Sequence, residues 1–119
     1  MRAEQLRRRV EDWLADLKAT NVVVLDVREL TDVTDYMIVA SGRSGRHVRS
    51  LAENLIEQSK KQKHQPMGVE GLDQGEWVLV DLCDVVVHVM QPEVRDFYQL
   101  EKLWGRDRMV EPAATSARN

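Results

Sequence analysis

Two β-branched runs, Trp77–Asp81 (WVLVD) and Val85–Met90 (VVVHVM), stand only three residues apart, and little but a β-hairpin can accommodate them. They sit inside the stretch Gly75–Gly105, GEWVLVDLCDVVVHVMQPEVRDFYQLEKLWG. The chain has three Trp, two Tyr and one Phe, and this stretch holds two of the tryptophans, one tyrosine and the phenylalanine. Aromatic side chains bury the most area at cores and interfaces, so such a concentration serves one or the other. A two-residue loop at Leu82-Cys83 predicts the pairs Val80 with Val85, Val78 with Val87 and Trp77 with His88. Side chains alternate across a sheet. One face then carries Val78, Val80, Val85, Val87 and Val89 and reads as core, while the other carries Trp77, Leu79, Asp81, Val86 and His88. An odd-length loop would exchange the two faces.

The remaining elements follow from periodicity. Leu6, Val10, Trp13, Leu14 and Leu17 recur at helical spacing and predict an amphipathic helix over about 3–18. Its triplet Arg7, Arg8 and Arg9 reads as a solvated face. VVVLDV at 22–27 and YMIVA at 36–40 read as strands joined by the acidic link ELTDVTD. Ser44 is the expected N-cap of a second helix striped by Val48, Leu51, Ala52, Leu55 and Ile56. That helix ends among Lys60, Lys61, Lys63 and His64, where the dipole favours cations, and Pro66 stops it. Met67–Glu70 reads as a short strand before the hairpin, and Pro92 opens a last helix through Tyr98 that runs into Leu100–Trp104. The order predicts an α/β fold, a small mixed β-sheet flanked by helices. Residues 1–106 form one domain, and 107–119 a flexible C-terminal tail without periodicity.

Charge and composition narrow the function. With 43% hydrophobic and 31% charged residues the chain has the make-up of a soluble globular domain. No apolar run approaches the roughly 20 residues of a membrane span, and MRAEQLRRRVEDW is charged where a secretory signal would be apolar. The single cysteine, Cys83, suits a reducing cytoplasm, the expected location. A net charge of −3 argues against a phosphate-gripping protein, so direct RNA contact is expected to be minor and a basic protein partner fits better.

Catalytic motifs are weak. The turn Gly42-Arg43-Ser44-Gly45 opens a helix and could cradle a phosphate, yet it is neither a dinucleotide fingerprint nor a Walker A loop. Nucleotidyl transfer needs two or three carboxylates converging on metal ions. Asp81 and Asp84 instead flank a turn, and Asp26 has no acidic partner at an alternate position. His47, His64 and His88 are scattered, with no ligand spacing for zinc. His88 and Asp81 share a face, as a general base and its orienting carboxylate would, but no nucleophile is placed beside them. At the C-terminal end, Arg95, Tyr98, Glu101 and Trp104 fall three residues apart and predict one helical stripe. Phe97, Leu100 and Leu103 predict a second, apolar one. The apolar stripe is expected to pack on the sheet, and the other to be either plain surface or a protein-binding hot spot.

Several segments together resemble the ribosomal silencing factor family (RsfS, Iojap): Asp35-Tyr36-Met37-Ile38-Val39-Ala40-Ser41-Gly42-Arg43-Ser44, Val69-Glu70-Gly71, Glu76–Asp81, Asp84–Val89 and Arg95-x-x-Tyr98-x-Leu100-Glu101-x-Leu103-Trp104. The match runs in order from about residue 5 to 106. The resemblance implies a nucleotidyltransferase-like fold without the catalytic carboxylates, and a non-enzymatic protein with no cofactor, metal or catalytic group. It implies binding to the large ribosomal subunit through its basic protein numbered fourteen, steric blocking of subunit association, and repression of translation under nutrient limitation. Free members of the family are often dimers. On that footing the partner-binding residues expected here are Glu70, Trp77, Asp81, His88, Tyr98, Glu101, Leu103 and Trp104. The alternative reading is a small nucleotide-binding enzyme of the nucleotidyltransferase type, using Ser41–Gly45 with Asp81 and His88. One departure stands out: the family's usual Asp-x-Gly-Asp turn is Asp81-Leu82-Cys83-Asp84, and Cys costs about 1 kcal/mol where Gly takes a positive φ.

Overall fold

A computed structural model describes residues 1–104 and residue 110. In chain order the elements are α1 (Ala3–Asp16), β1 (Thr20–Asp26), β2 (Tyr36–Ser41), α2 (Gly45–Lys61), β3 (Gly68–Glu70), β4 (Trp77–Asp81), β5 (Val85–Met90), α3 (Pro92–Tyr98) and α4 (Leu100–Leu103). The five strands form one mixed sheet in the order β1-β2-β5-β4-β3. β2 and β5 run parallel, and every other neighbouring pair is antiparallel. A parallel pair requires a crossover, and α2 lies on that path.

The amphipathic stripes decide the layering. Leu6, Val10, Trp13 and Leu14 of α1 pack with Val48, Leu51, Ala52 and Leu55 of α2 onto one sheet face. That face presents Val24, Tyr36, Ile38, Ala40, Val78, Val80, Val85, Val87 and Val89, so the valine face expected of the hairpin is indeed core. Full burial of each such side chain contributes about 1.5–3 kcal/mol. Ser44 caps α2 as its chemistry predicts, its hydroxyl accepting from the His47 amide at 3.1 Å.

The hairpin register differs from the expected one by one turn position. Trp77 lies opposite Met90, Val78 opposite Val89, Leu79 opposite His88 and Val80 opposite Val87. The loop is Cys83-Asp84, closed by a bond from the Leu82 amide to the Val85 carbonyl at 2.9 Å. Moving the loop by one residue slides the partner strand by two, which preserves both faces. Leu82 thereby joins the core, fully buried. Cys83 keeps the positive φ, 75°, and the Asp84 amide reaches back to the Leu82 carbonyl at 3.0 Å as in a γ-turn. Cys83 is exposed, so Cys83→Gly should raise stability by about 1 kcal/mol, read as a higher urea midpoint at unchanged slope.

Arg7 corrects the reading of the arginine triplet. It is buried, paired with Glu11 at 2.8 Å, and its guanidinium stands 5.3 Å from the centre of the Tyr36 ring. Arg8 and Arg9 are exposed as expected. An arginine flanking an apolar stripe can lay its stem along the core and its head on an aromatic face. Arg28, its guanidinium held by the Asp26 carboxylate through two hydrogen bonds and its amide through a third, takes up the Tyr36 ring as well, at 5.4 Å.

The tail from 107 lies outside the described residues except for Val110. Its amide donates to the Val24 carbonyl at 2.7 Å, on the outer edge of β1, and its side chain packs against the main core.

Candidate functional site

The second face of the sheet is the one that varies in cover. Its rows follow from the register: Glu70, Leu79, His88, Val39 and Val23 form one row across all five strands, and Asp81, Val86, Met37 and Leu25 form the next. Toward β1 this face is closed by Leu100 and Trp104, which pack with Leu25, Val27, Met37, Val39 and Met90. Toward β4 and β3 it is open, with Leu79 and Val86 half-buried and Glu70 exposed on the short edge strand.

An aromatic shelf stands at the border of the open part. Trp77, half-buried, donates its indole N–H to His88 Nδ1 at 3.0 Å. The Tyr98 ring lies 4.8 Å from Trp77 at 50°, and Phe97 meets Tyr98 edge-on at 5.0 Å and 83°. Tilted and edge-to-face pairs at these separations are mutually attractive. Phe97 is nonetheless 80% exposed, Tyr98 52% and Leu103 76%. Large apolar side chains held in fixed mutual geometry while facing solvent mark a binding surface.

The C-terminal stripes do not form as predicted, because the helix breaks. Gln99 takes a left-handed conformation (φ 49°, ψ 56°), and its amide caps α3 on the Arg95 carbonyl at 2.8 Å. Arg95 is therefore buried, with Nη1 on the Ser41 hydroxyl at 2.8 Å and Nε on Glu101 at 3.1 Å. Tyr98 turns to Trp77, and Trp104 turns to the second core cluster. Of the apolar stripe only Leu100 is buried.

The expected site residues thus divide. Trp77, His88 and Tyr98 are brought into contact, with Glu70 on the same face two strands from His88. Leu103 is exposed on α4. Asp81 spends one carboxylate oxygen on the Cys83 amide at 2.8 Å, supporting the turn. Glu101 is engaged internally by Arg95, and Trp104 is chiefly a packing residue. Phe97 is missing from the expected set, since a lone phenylalanine in a helical stripe carries no sequence mark of exposure.

The features behind the enzymatic alternative do not assemble. The Arg43 amide donates to His47 Nδ1 at 3.0 Å and the His47 amide to the Ser44 hydroxyl at 3.1 Å, so two of the turn's amides are used within it. His47 Nε2 is bound to the Leu17 carbonyl at 2.7 Å, tying the end of α1 to the start of α2. His88 faces Trp77 rather than Asp81. Among the described residues no three His, Cys, Asp or Glu side chains gather as metal ligands would. Among them too, no helix is long and apolar enough to cross a membrane.

Burial lowers the His88 pKa to about 4. A histidine with a folded pKa below its unfolded value of about 6.5 stabilises fully above pH 6.5, and that contribution is lost as the pH falls toward 4. The loss is about 3 kcal/mol. In urea titrations between pH 7 and 4, the wild type should lose stability more steeply than His88→Gln by that amount.

The domain is thus an α/β layer with one packed face and one open, aromatic-edged face. The family described as "Ribosomal silencing factor during starvation" matches residues 1–119. The chain is 45% identical over 94 residues to the ribosomal silencing factor RsfS of Haemophilus influenzae, covering 79% of this chain and 92% of that one. It is 43% identical over 105 residues to the RsfS of Chromobacterium violaceum, covering 88% and 86%. A crystal structure of a Chromobacterium violaceum protein superposes with a TM-score of 0.87 at 41% identity, covering 95% of this chain and 92% of the other. The chain belongs to the ribosomal silencing factor family.

Proposed function

We propose that the protein is an antiassociation factor of the large ribosomal subunit. It docks the open sheet face and its aromatic shelf on the basic large-subunit protein numbered fourteen, sterically blocks the small subunit, and so represses cytoplasmic translation when nutrients are short. The observation that carries the reading is the shelf itself: Tyr98 packed on Trp77 and Phe97 edge-on against Tyr98, both exposed, beside the apolar Leu79 and Val86 and the exposed carboxylate of Glu70. Buried aromatics at the centre of a docked patch supply most of the affinity, and about 800 Å² on this domain suffices for a specific complex. A net charge of −3 steers it toward a basic partner.

Sedimentation with purified subunits tests the reading. The protein should travel with large subunits and not with small ones, and its association should slow as salt rises. Equal binding to both subunits, or to neither, contradicts it. A melting screen with nucleotides and divalent cations should give no shift, whereas a bound nucleotide would raise Tm by mass action.

A further inference from the structure

The Trp77–His88 contact has a chemical consequence for what this face can accept. An indole N–H only donates, so His88 Nδ1, 3.0 Å away, must be the accepting nitrogen. A neutral imidazole with Nδ1 accepting carries its proton on Nε2. Among the described residues, the buried side-chain polar atoms without a partner are Arg7 Nε and Glu101 Oε2. His88 is 6% exposed, and its Nε2, which makes no hydrogen bond among those residues, is not one of these sealed atoms, so the narrow exposed edge of the ring includes that N–H. That edge lies where the closed and open parts of the face meet, with half-buried Leu79 across one strand boundary and buried Val39 across the other.

We infer that His88, held in one tautomer by Trp77, presents its Nε2–H as a fixed donor that selects a neutral main-chain carbonyl on the docking protein. The inference rests on the proposed docking of this face and names what the partner must offer there. A donor sealed against apolar neighbours loses its water, and that loss is recovered only if the partner supplies an acceptor. A partner carboxylate is the wrong acceptor, because Glu70 and Asp81 line the same face. Basic surfaces without a carbonyl at this point are rejected, so the histidine adds discrimination to the affinity of the aromatic shelf. Because burial keeps His88 neutral, no charge has to be desolvated on docking.

Two substitutions separate the ring's two jobs. In His88→Asn the carboxamide oxygen replaces Nδ1 and keeps the Trp77 bond, but no donor remains at the Nε2 position. In His88→Gln the amide nitrogen reaches the Nε2 position and donates, while the Trp77 bond is lost. Affinity for purified large subunits should fall about tenfold in His88→Asn and stay within about threefold of wild type in His88→Gln, with the melting temperature lowered more in the Gln variant. A long-range proton–nitrogen spectrum of the free protein should show the His88 proton on Nε2. Wild-type affinity in His88→Asn, or a proton on Nδ1, overturns the inference. Should the Asn variant fail to fold, a tenfold loss in a folded His88→Gln overturns it instead. If wild-type protein does not bind large subunits, the docking role falls, whereas a proton on Nδ1 in a protein that does bind them overturns only the donor assignment.

Discussion

Replacing Phe97 and Tyr98 together by alanine should weaken the complex with the large ribosomal subunit about a thousandfold, or about 4 kcal/mol, while costing the free protein only about 1 kcal/mol of stability. The contrast follows from where these rings sit. Phe97 touches Tyr98 edge-on and is otherwise in solvent, and Tyr98 is half-exposed with its inner side on Trp77. Little burial is lost from the free fold when they are truncated. In a docked complex both rings are covered and their truncation leaves a void in the centre of the patch, where side-chain losses are largest. Val33 supplies the control, being 79% exposed on the loop between β1 and β2. Val33→Ala should leave both binding and Tm unchanged. Binding is to be read by sedimentation or surface capture of purified large subunits, with folding followed by melting of the same samples. A double variant that binds like wild type would move the docking surface elsewhere.

Gly71→Val should cost about 4 kcal/mol and lower Tm by on the order of 15 °C. Gly71 links β3 to the turn before β4 at φ +83°, a region where a β-branched residue is strained. Space is the larger problem, since a Cβ there would stand 2.1 Å from the Trp77 carbonyl oxygen. That neighbour is backbone and cannot swing aside, so relief requires β4 to shift at the residue that carries the shelf. Stability and subunit binding should therefore fall together, unlike in the Phe97 and Tyr98 variant. Gly68→Ala is the matched control, because nothing lies within 4 Å of a Cβ at that position. A Gly71→Val protein that melts with the wild type would contradict the close approach.

Strands β4 and β5 and the start of α3 were legible to the residue, because β-branched alternation and a proline at the first helical position act locally. The two faces of the hairpin were legible as well. Its turn was not: loops at Leu82-Cys83 and Cys83-Asp84 give the same alternation, and the choice falls to the burial of Leu82 by α2 and the rest of the core. The break at Gln99 left no mark either, since glutamine is an ordinary helix residue and its left-handed conformation comes from capping α3 while Leu100 docks on the sheet. That single break reassigns Glu101 to Arg95 and Trp104 to the core, and it leaves Phe97 in solvent. Arg7 shows the same limit, because its place over Tyr36 depends on a ring brought in from β2. Tertiary partners, rather than local propensity, decided each of these.

The most direct test of the account is subunit joining itself. Purified large and small subunits should be mixed under associating conditions with rising amounts of this protein, and joined ribosomes followed by light scattering and on sucrose gradients. Joined ribosomes should fall in step with occupancy of the large subunit by the wild type, and should remain at the control level with the Phe97 and Tyr98 double variant. Undiminished joining with the wild-type protein saturating the large subunits would contradict the account.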